Sequence, residues 1–333
     1  MKLSILDQIP VPKGLTPTEA HAASVQLALL GDSLGYERMW LAEHHNTNSI
    51  ASSAPEISVA YLAALTKRIR VGTGGVMMMH YSPYKVAEVF KTLSALAPGR
   101  IDFGAGRAPG GDRNAMIALA SGRRPYVDEQ YETLDLILRM IEDQKTGNEV
   151  YDSVVAAPSG IQLPEAWLLG STGQSAQQAG ANGVGYAFAQ FFQGELSRYI
   201  LDLYRNSFVP SSFMPEPKIL VTYAVSVAET REEAEYLSMP MQITRLQLLR
   251  GRLEPGLTPE EASQYPLTEM DKMILEQNRH LILIGTADDV LSQIAADMEK
   301  YGFDEAMINC NQYGIEKRLN SYSLLAKKLS SYN

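Results

Sequence analysis

The feature that most constrains this chain is an alternation of short β-rich runs with longer amphipathic stretches, sustained from one end to the other. Residues 2–6, 38–42, 69–73, 101–104, 167–169, 186–188, 219–227 and 306–309 are predicted strands, rich in apolar, β-branched and aromatic side chains. Between them 16–34, 55–65, 83–96, 126–141, 175–181, 196–208, 229–250 and 288–301 carry helical spacing, and 316–329 closes the chain as a helix. The punctuation agrees: Thr16, Pro17 and Glu19 open the first helix and Gly35 stops it, while Pro98-Gly99 ends the helix that opens at Pro83. Strands separated by helices pair in parallel through right-handed crossovers, so the chain must form an open doubly wound sheet or a closed (β/α)₈ barrel. Eight units favour the TIM barrel, read as a single domain over residues 1–333. An extra apolar run at 281–284 would make nine if it entered the sheet; it reads as a short segment leading into the helix at 288–301. Two stretches stand outside the repeat, 144–164 and 251–268, the second broken by Glu254-Pro255-Gly256 and Thr258-Pro259. Insertions after barrel strands often gate a site, so 251–268 is either a lid or a solvated loop.

Composition narrows the partners. With 45% apolar and 20% charged residues the chain can bury a core unaided, and its net charge of −9 without a basic stripe argues against nucleic acid. The single cysteine, Cys310, cannot form an intrachain disulfide. No apolar run approaches the roughly 18 residues of a membrane span, and Asp7 interrupts the N-terminal stretch where a signal peptide would be apolar. A cytoplasmic protein with no membrane attachment is expected.

In a barrel the chemistry lies at the C-terminal ends of the strands. There the chain places Glu43-His44-His45-Asn46, then Gly74-Gly75 followed by His80, then Gly106-Arg107, then Gly170-Ser171-Thr172-Gly173. Three of the five histidines share this address, which scattered structural histidines would not need. His44, His45 and His80 beside Glu43 invite a metal, but neighbouring strand side chains point to opposite faces, so no metal is expected and one inward histidine for proton transfer is preferred. Residues 104–110 look like a dinucleotide fingerprint with Pro109 in the third glycine position. Their more specific feature is Arg107, whose fork suits a phosphate, a surface salt bridge being the plainer account. Gly170 to Ser175 put small residues at a helix N-terminus, which favours an anion or is simply a turn and cap. No Walker A sequence occurs. Met77-Met78-Met79 suit core filling or an apolar wall for a ring, and Gly74-Gly75 permits close approach of a flat ligand.

Taken together, residues 40–46, 71–75, Ser82-Pro83, 97–104, Gly106-Arg107, 168–171 and 284–286 resemble the bacterial luciferase-like flavin monooxygenases, in the family's order over nearly the whole chain. In particular the 42–46 and 106–110 signatures are similar to those of its single-chain branch. The resemblance implies a barrel that uses reduced FMN from a separate flavin reductase, together with O₂, to oxidise a small organic substrate. By position His44 would be the catalytic histidine and Arg107 the phosphate-binding arginine. Gly74 and Gly75 would form a cis peptide beside the flavin ring, and Ser171, Gly173 and Gln174 would complete the phosphate loop. Gly106 would also border the cofactor, where luciferase has a reactive cysteine; its absence tells against aldehyde bioluminescence and leaves flavin binding intact. On this reading Gly75→Val would fill the ring site while the fold survived. The resemblance also implies a homodimer formed through barrel helices. Two alternatives remain: a deazaflavin-dependent hydride transferase on the same barrel, and a non-catalytic flavin-binding protein, against which His44 and the complete set of strands argue.

Overall fold

The computed structural model describes residues 1–122, 130–193, 195–252 and 254–332. Its strands are β1 (Lys2–Asp7), β2 (Arg38–Leu41), β3 (Arg70–Thr73), β4 (Val76–Met77), β5 (Ile101–Gly106), β6 (Glu165–Gly170), β7 (Gly185–Ala189), β8 (Ile219–Val227), β9 (Ile282–Gly285) and β10 (Glu305–Asn309). The helices of the first half are α1 (Pro17–Leu34), α2 (Pro55–Leu65), α3 (Pro83–Leu96), α4 (Arg113–Leu119), α5 (Gln130–Ile141) and α6 (Glu149–Asp152). Those of the second half are α7 (Gly173–Ala181), α8 (Gln190–Gln193), α9 (Arg198–Ser207), α10 (Arg231–Leu249), α11 (Pro259–Ser263), α12 (Glu269–Gln277), α13 (Ala287–Tyr301) and α14 (Ile315–Leu329). The start of α1 shows why local sequence suffices at such points. Thr16 Oγ1 accepts from the Glu19 N–H while Glu19 reaches back to the Thr16 N–H at 2.8 Å, and Gly35 takes φ 92° at the other end. The helix expected over 126–141 is present as α5; residues 126–129 lie outside the described residues.

Parallel pairing runs β1–β2–β3–β5–β6–β7–β8–β10 and returns to β1, closing a ring of eight strands. The (β/α)₈ barrel expected from the repeat is therefore the observed fold. The run at 281–284 is corrected: it is a true strand, β9, parallel to β8 from Ala224 to Val227. Ala224 also pairs with Asn309 of β10, so β9 lies on the β7 side of β8, above the point where the β7 pairing ends at Thr222. The helix expected at 229–250 is present as α10. The crossover that packs beside α14 and leads into β10 is α13, whereas α10 lies on β9, α11 and α12, so residues 228–281 form one long excursion at the C-terminal rim. Among the described residues no helix is long and apolar enough to cross a membrane.

Period-two alternation divides the interior. Met39 and Leu41 of β2 face the helices, while Trp40 joins Leu6, Trp167, Ala187, Leu220 and Met307 inside the barrel. Trp40 and Trp167 meet edge to face with centroids 5.5 Å apart. Below this apolar layer, at the N-terminal end, Arg38 is 2% exposed and donates to Asp102 (2.7 Å), Glu165 (3.1 Å) and Glu305 (2.8 Å). Arg70 reaches Asp102 at 2.6 Å and Lys218 reaches Glu165 at 3.1 Å, so Arg38, Arg70 and Lys218 balance the three carboxylates. Burial alone would raise the Glu165 carboxyl, but Arg38, Arg70 and Lys218 outweigh it and hold it down to about 2.

Arg38→Met should cost about 3–5 kcal/mol in urea unfolding at neutral pH, because it strands buried carboxylates. Lys218→Met, at the exposed edge of the cluster, should cost under about 1 kcal/mol. Because the folded Glu165 pKa is depressed, its stabilisation is fully present above about pH 4.5 and should be lost as pH falls toward about 2.

Candidate active site

Past the end of β2 the inward phase of Arg38, Trp40 and Ala42 continues to His44. Its backbone N–H donates to Ser52 O at 2.8 Å, and its Nδ1 is buried with no hydrogen-bond partner among the described residues. Burial, reinforced by His45 and opposed by Glu43, lowers the His44 pKa below the ordinary value of 6.5. The imidazole is neutral at pH 7.

His44 and His45 do not converge. Glu43, 1% exposed, accepts from the Met77 N–H (2.9 Å), the Tyr81 hydroxyl (2.7 Å) and His45 Nε2 (2.7 Å). His45 is thereby held on the Glu43 side, away from the inward phase of His44. Burial and the Glu43 carboxylate together push the Tyr81 hydroxyl well above its usual range. His80 Nε2 donates to Pro109 O at 2.7 Å, leaving its buried Nδ1 without a partner among the described residues. Among the described residues no three His, Cys, Asp or Glu side chains converge as a metal site.

The glycine-rich run at 104–110 proves to be a docking surface and not a dinucleotide turn. β5 continues through Gly106, and the next helix begins only at Arg113. The segment between them is tied to the β2 loop: the His45 N–H donates to Gly110 O (2.7 Å) and Asn46 Nδ2 to Asp112 Oδ2 (3.0 Å). Gly110 has φ 64°, and a Cβ there would stand 3.0 Å from Met77 Cγ and 3.1 Å from Glu43 O.

The Gly74–Gly75 peptide is cis. A Cβ on Gly74 would meet Leu6 Cδ1 at 2.9 Å and Trp40 Cβ at 3.0 Å, whereas one on Gly75 would meet the Gly104 carbonyl oxygen at 2.7 Å. The second distance bears on the Gly75→Val expectation: a side chain at 75 meets the backbone of β5 itself, so a cost in stability is expected beside any loss of ligand. At Gly106 the nearest atom to a Cβ is Met77 Sδ at 3.4 Å, an ordinary contact.

Arg107 follows β5, and the Ser171 loop follows β6, its direct neighbour in the ring. The Arg107 guanidinium lies 4.8 Å from the Tyr131 ring centroid and has no carboxylate partner among the described residues. Tyr131 Oη is buried without a hydrogen-bond partner among those residues. Tyr186 is pushed up to about 12 by burial and pulled down in part by a Ser175 hydrogen bond and by Arg107. Its hydroxyl lies 3.1 Å from Ser175 Oγ and 3.3 Å from Thr172 O, so Arg107 and the start of α7 share one neighbourhood. Thr172 caps α7, Gly173 is its first residue, and the first turn is free of acid. Ser171 is half-buried and Gln174 exposed. Tyr81 and Tyr131 had no motif to mark them.

The fold and these groups make the chain a (β/α)₈ barrel whose C-terminal mouth carries buried polar atoms without partners among the described residues. The profile of the luciferase-like monooxygenases matches residues 1–305. The chain is 40% identical over 325 residues to the uncharacterised protein YceB of Bacillus subtilis (98% of each chain). It is 36% identical over 332 residues to the N-acetyl-S-alkylcysteine monooxygenase of the same organism (98% of this chain, 97% of the relative). The crystal structure of apo-MsnO8 superposes with a TM-score of 0.90 at 35% identity, covering 99% and 98% of the two chains. The chain belongs to the luciferase-like monooxygenase family, and hence to the flavin-dependent oxidoreductases.

Gly75→Ala should lower stability by about 1–3 kcal/mol, since the Gly104 carbonyl it meets is backbone in a closed barrel. Gly106→Ala, facing a flexible methionine, should cost less than about 1 kcal/mol. Thermal or urea unfolding of the two variants compares them directly; equal losses would mean that the close approach at Gly75 does not set its identity.

Proposed function

We propose that the protein is an FMN-dependent monooxygenase, using reduced FMN from a separate reductase and O₂ to oxidise a small organic substrate. The observation that carries this reading is the set of unspent polar groups at one mouth: His44 Nδ1, His80 Nδ1 and Tyr131 Oη without partners among the described residues, with Arg107 beside the acid-free start of α7. Such groups fit a planar polar ligand with an anionic tail. Gly74, Gly75 and Gly106 would floor the ring, and Arg107 with Ser171, Gly173 and Gln174 would hold the phosphate. When bound, the reduced flavin supplies the electrons that let one atom of O₂ enter the substrate and the other leave as water. His44, neutral at pH 7, takes up and returns the proton at Nδ1 while Glu43 fixes the surrounding loop. The 251–268 insertion is a lid on this reading, supported by the Lys13 N–H donating to Gly256 O at 2.9 Å and by the Lys13–Glu261 pair, which join it to the loop after β1. The buried lone Cys310 suits a cytoplasmic setting.

Arg107→Ala should weaken FMN about 10- to 150-fold, the worth of a hydrogen bond to a charged group, and leave riboflavin unaffected. His44→Ala should bind FMN as wild type but slow oxidation about 10²- to 10⁴-fold. In the wild type the rate should fall on the acid side below pH 6.5, where the depressed His44 pKa lies. Label from ¹⁸O₂ should appear in the product. Unlabelled product, or anaerobic turnover with a deazaflavin, would replace monooxygenation with hydride transfer.

The dimer is supported by α2, whose Ile57, Tyr61 and Leu65 lie four residues apart and are 69%, 61% and 40% exposed. Tyr61→Asp should shift the mass measured by light scattering from dimer to monomer with FMN affinity unchanged; an unaltered mass would place the interface elsewhere.

A further inference from the structure

The excursion at the C-terminal rim holds a second cation with no assigned task, on α10. Arg245 lies on α10 and is half-buried; its Nη1 donates to Phe191 O at 2.9 Å. Its Nε is buried without a partner, and its Nη2 makes no hydrogen bond to the described residues. Burial lowers its pKa and no carboxylate acts to restore it. The fully buried arginines among the described residues have carboxylate partners: Arg38 is ringed by three and Arg318 is paired with Asp7 at 2.6 Å. With Nη1 committed to a carbonyl, the unpaired edge of Arg245 is the Nε–Nη2 side, whose two parallel N–H groups match the two oxygens of a carboxylate.

Position connects this edge to the reaction site. Phe191 belongs to α8, directly after β7, and packs on the cluster of Leu6, Trp40, Trp167 and Met307 that fills the barrel. β7 stands four strands round the ring from β2, past whose end His44 lies, so the Phe191 carbonyl to which Arg245 is tied follows the strand opposite that of His44. Arg107 and the start of α7 occupy the arc between, on β5 and β6. A ligand held at that arc and flanked by His44 therefore leaves Arg245 for something else. A cavity of about 10 Å³ bounded by Gln242, Leu275 and Ile282 also touches Arg245, but it has room for one water at most, which supplies no countercharge.

We infer that the substrate is an organic acid whose carboxylate is bound by the Nε–Nη2 edge of Arg245. This deepens the monooxygenase reading and rests on it for the identity of the mouth. The test needs no turnover. Hexanoate and 3-(methylthio)propanoate, and the methyl ester of each, are titrated into the wild type and into Arg245→Met by calorimetry at neutral pH, with FMN titrated separately. The wild type should prefer each acid over its ester by about tenfold or more, and Arg245→Met should abolish the preference while FMN affinity stays unchanged. If Arg245→Met fails to fold, Arg245→Lys keeps the charge without the fork and should reduce the preference severalfold. Equal binding of acid and ester, binding of neither, or a preference that survives Arg245→Met overturns the assignment and leaves Arg245 a packing residue beside a trapped water. Acid preference without FMN binding would instead sink the flavin reading and keep Arg245.

Discussion

Everything at the mouth depends on a charge cluster at the opposite end of the barrel. Arg38 donates to carboxylates from β5, β6 and β10 and so ties four of the eight strands through one guanidinium. Its partners are desolvated, and only this mutual neutralisation makes their burial tolerable. The apolar layer of Trp40, Trp167, Leu220 and Met307 then sits on the cluster as a plug. The groups at the C-terminal ends of the strands thus rest on a layer whose height and register are set from below.

The second organising group is Glu43. One carboxylate holds the Met77 N–H, the Tyr81 hydroxyl and His45, joining the loops after β2 and β3, while Gly110 and Asp112 bring in the loop after β5. Three of the loops that form the mouth are thereby one unit. His44 gains from this twice: its backbone is pinned, and the His45 side chain that would compete with it inside the barrel is engaged elsewhere.

How much of this the sequence disclosed follows from the range of the forces involved. The barrel was legible because strand and helix periods are local, whereas the choice of His44 among the three strand-end histidines came through resemblance alone. The cis peptide at Gly74–Gly75 was anticipated only through resemblance, since two glycines permit it without requiring it. The docking of 42–46 against 106–112 was hidden, being a contact between segments about sixty residues apart with no complementary charge pattern to announce it. β9 was misread because four apolar residues do not reveal a partner. Arg245 left no trace, for an arginine on a helix looks the same whether its fork is spent or open.

The double pairing of Ala224 has a consequence for how such a protein can diversify. The excursion leaves β8 at Val227 and comes back onto the same strand through β9, so both of its ends are fastened to one piece of the barrel. Lengthening a loop whose ends are already pinned costs little, about 0.6 kcal/mol for each doubling. Insertions, deletions and wholesale rewriting of residues between α10 and β9 can therefore accumulate without disturbing strand registration. The rim of the barrel can thus be remodelled in this one place while the closed ring of strands keeps its register.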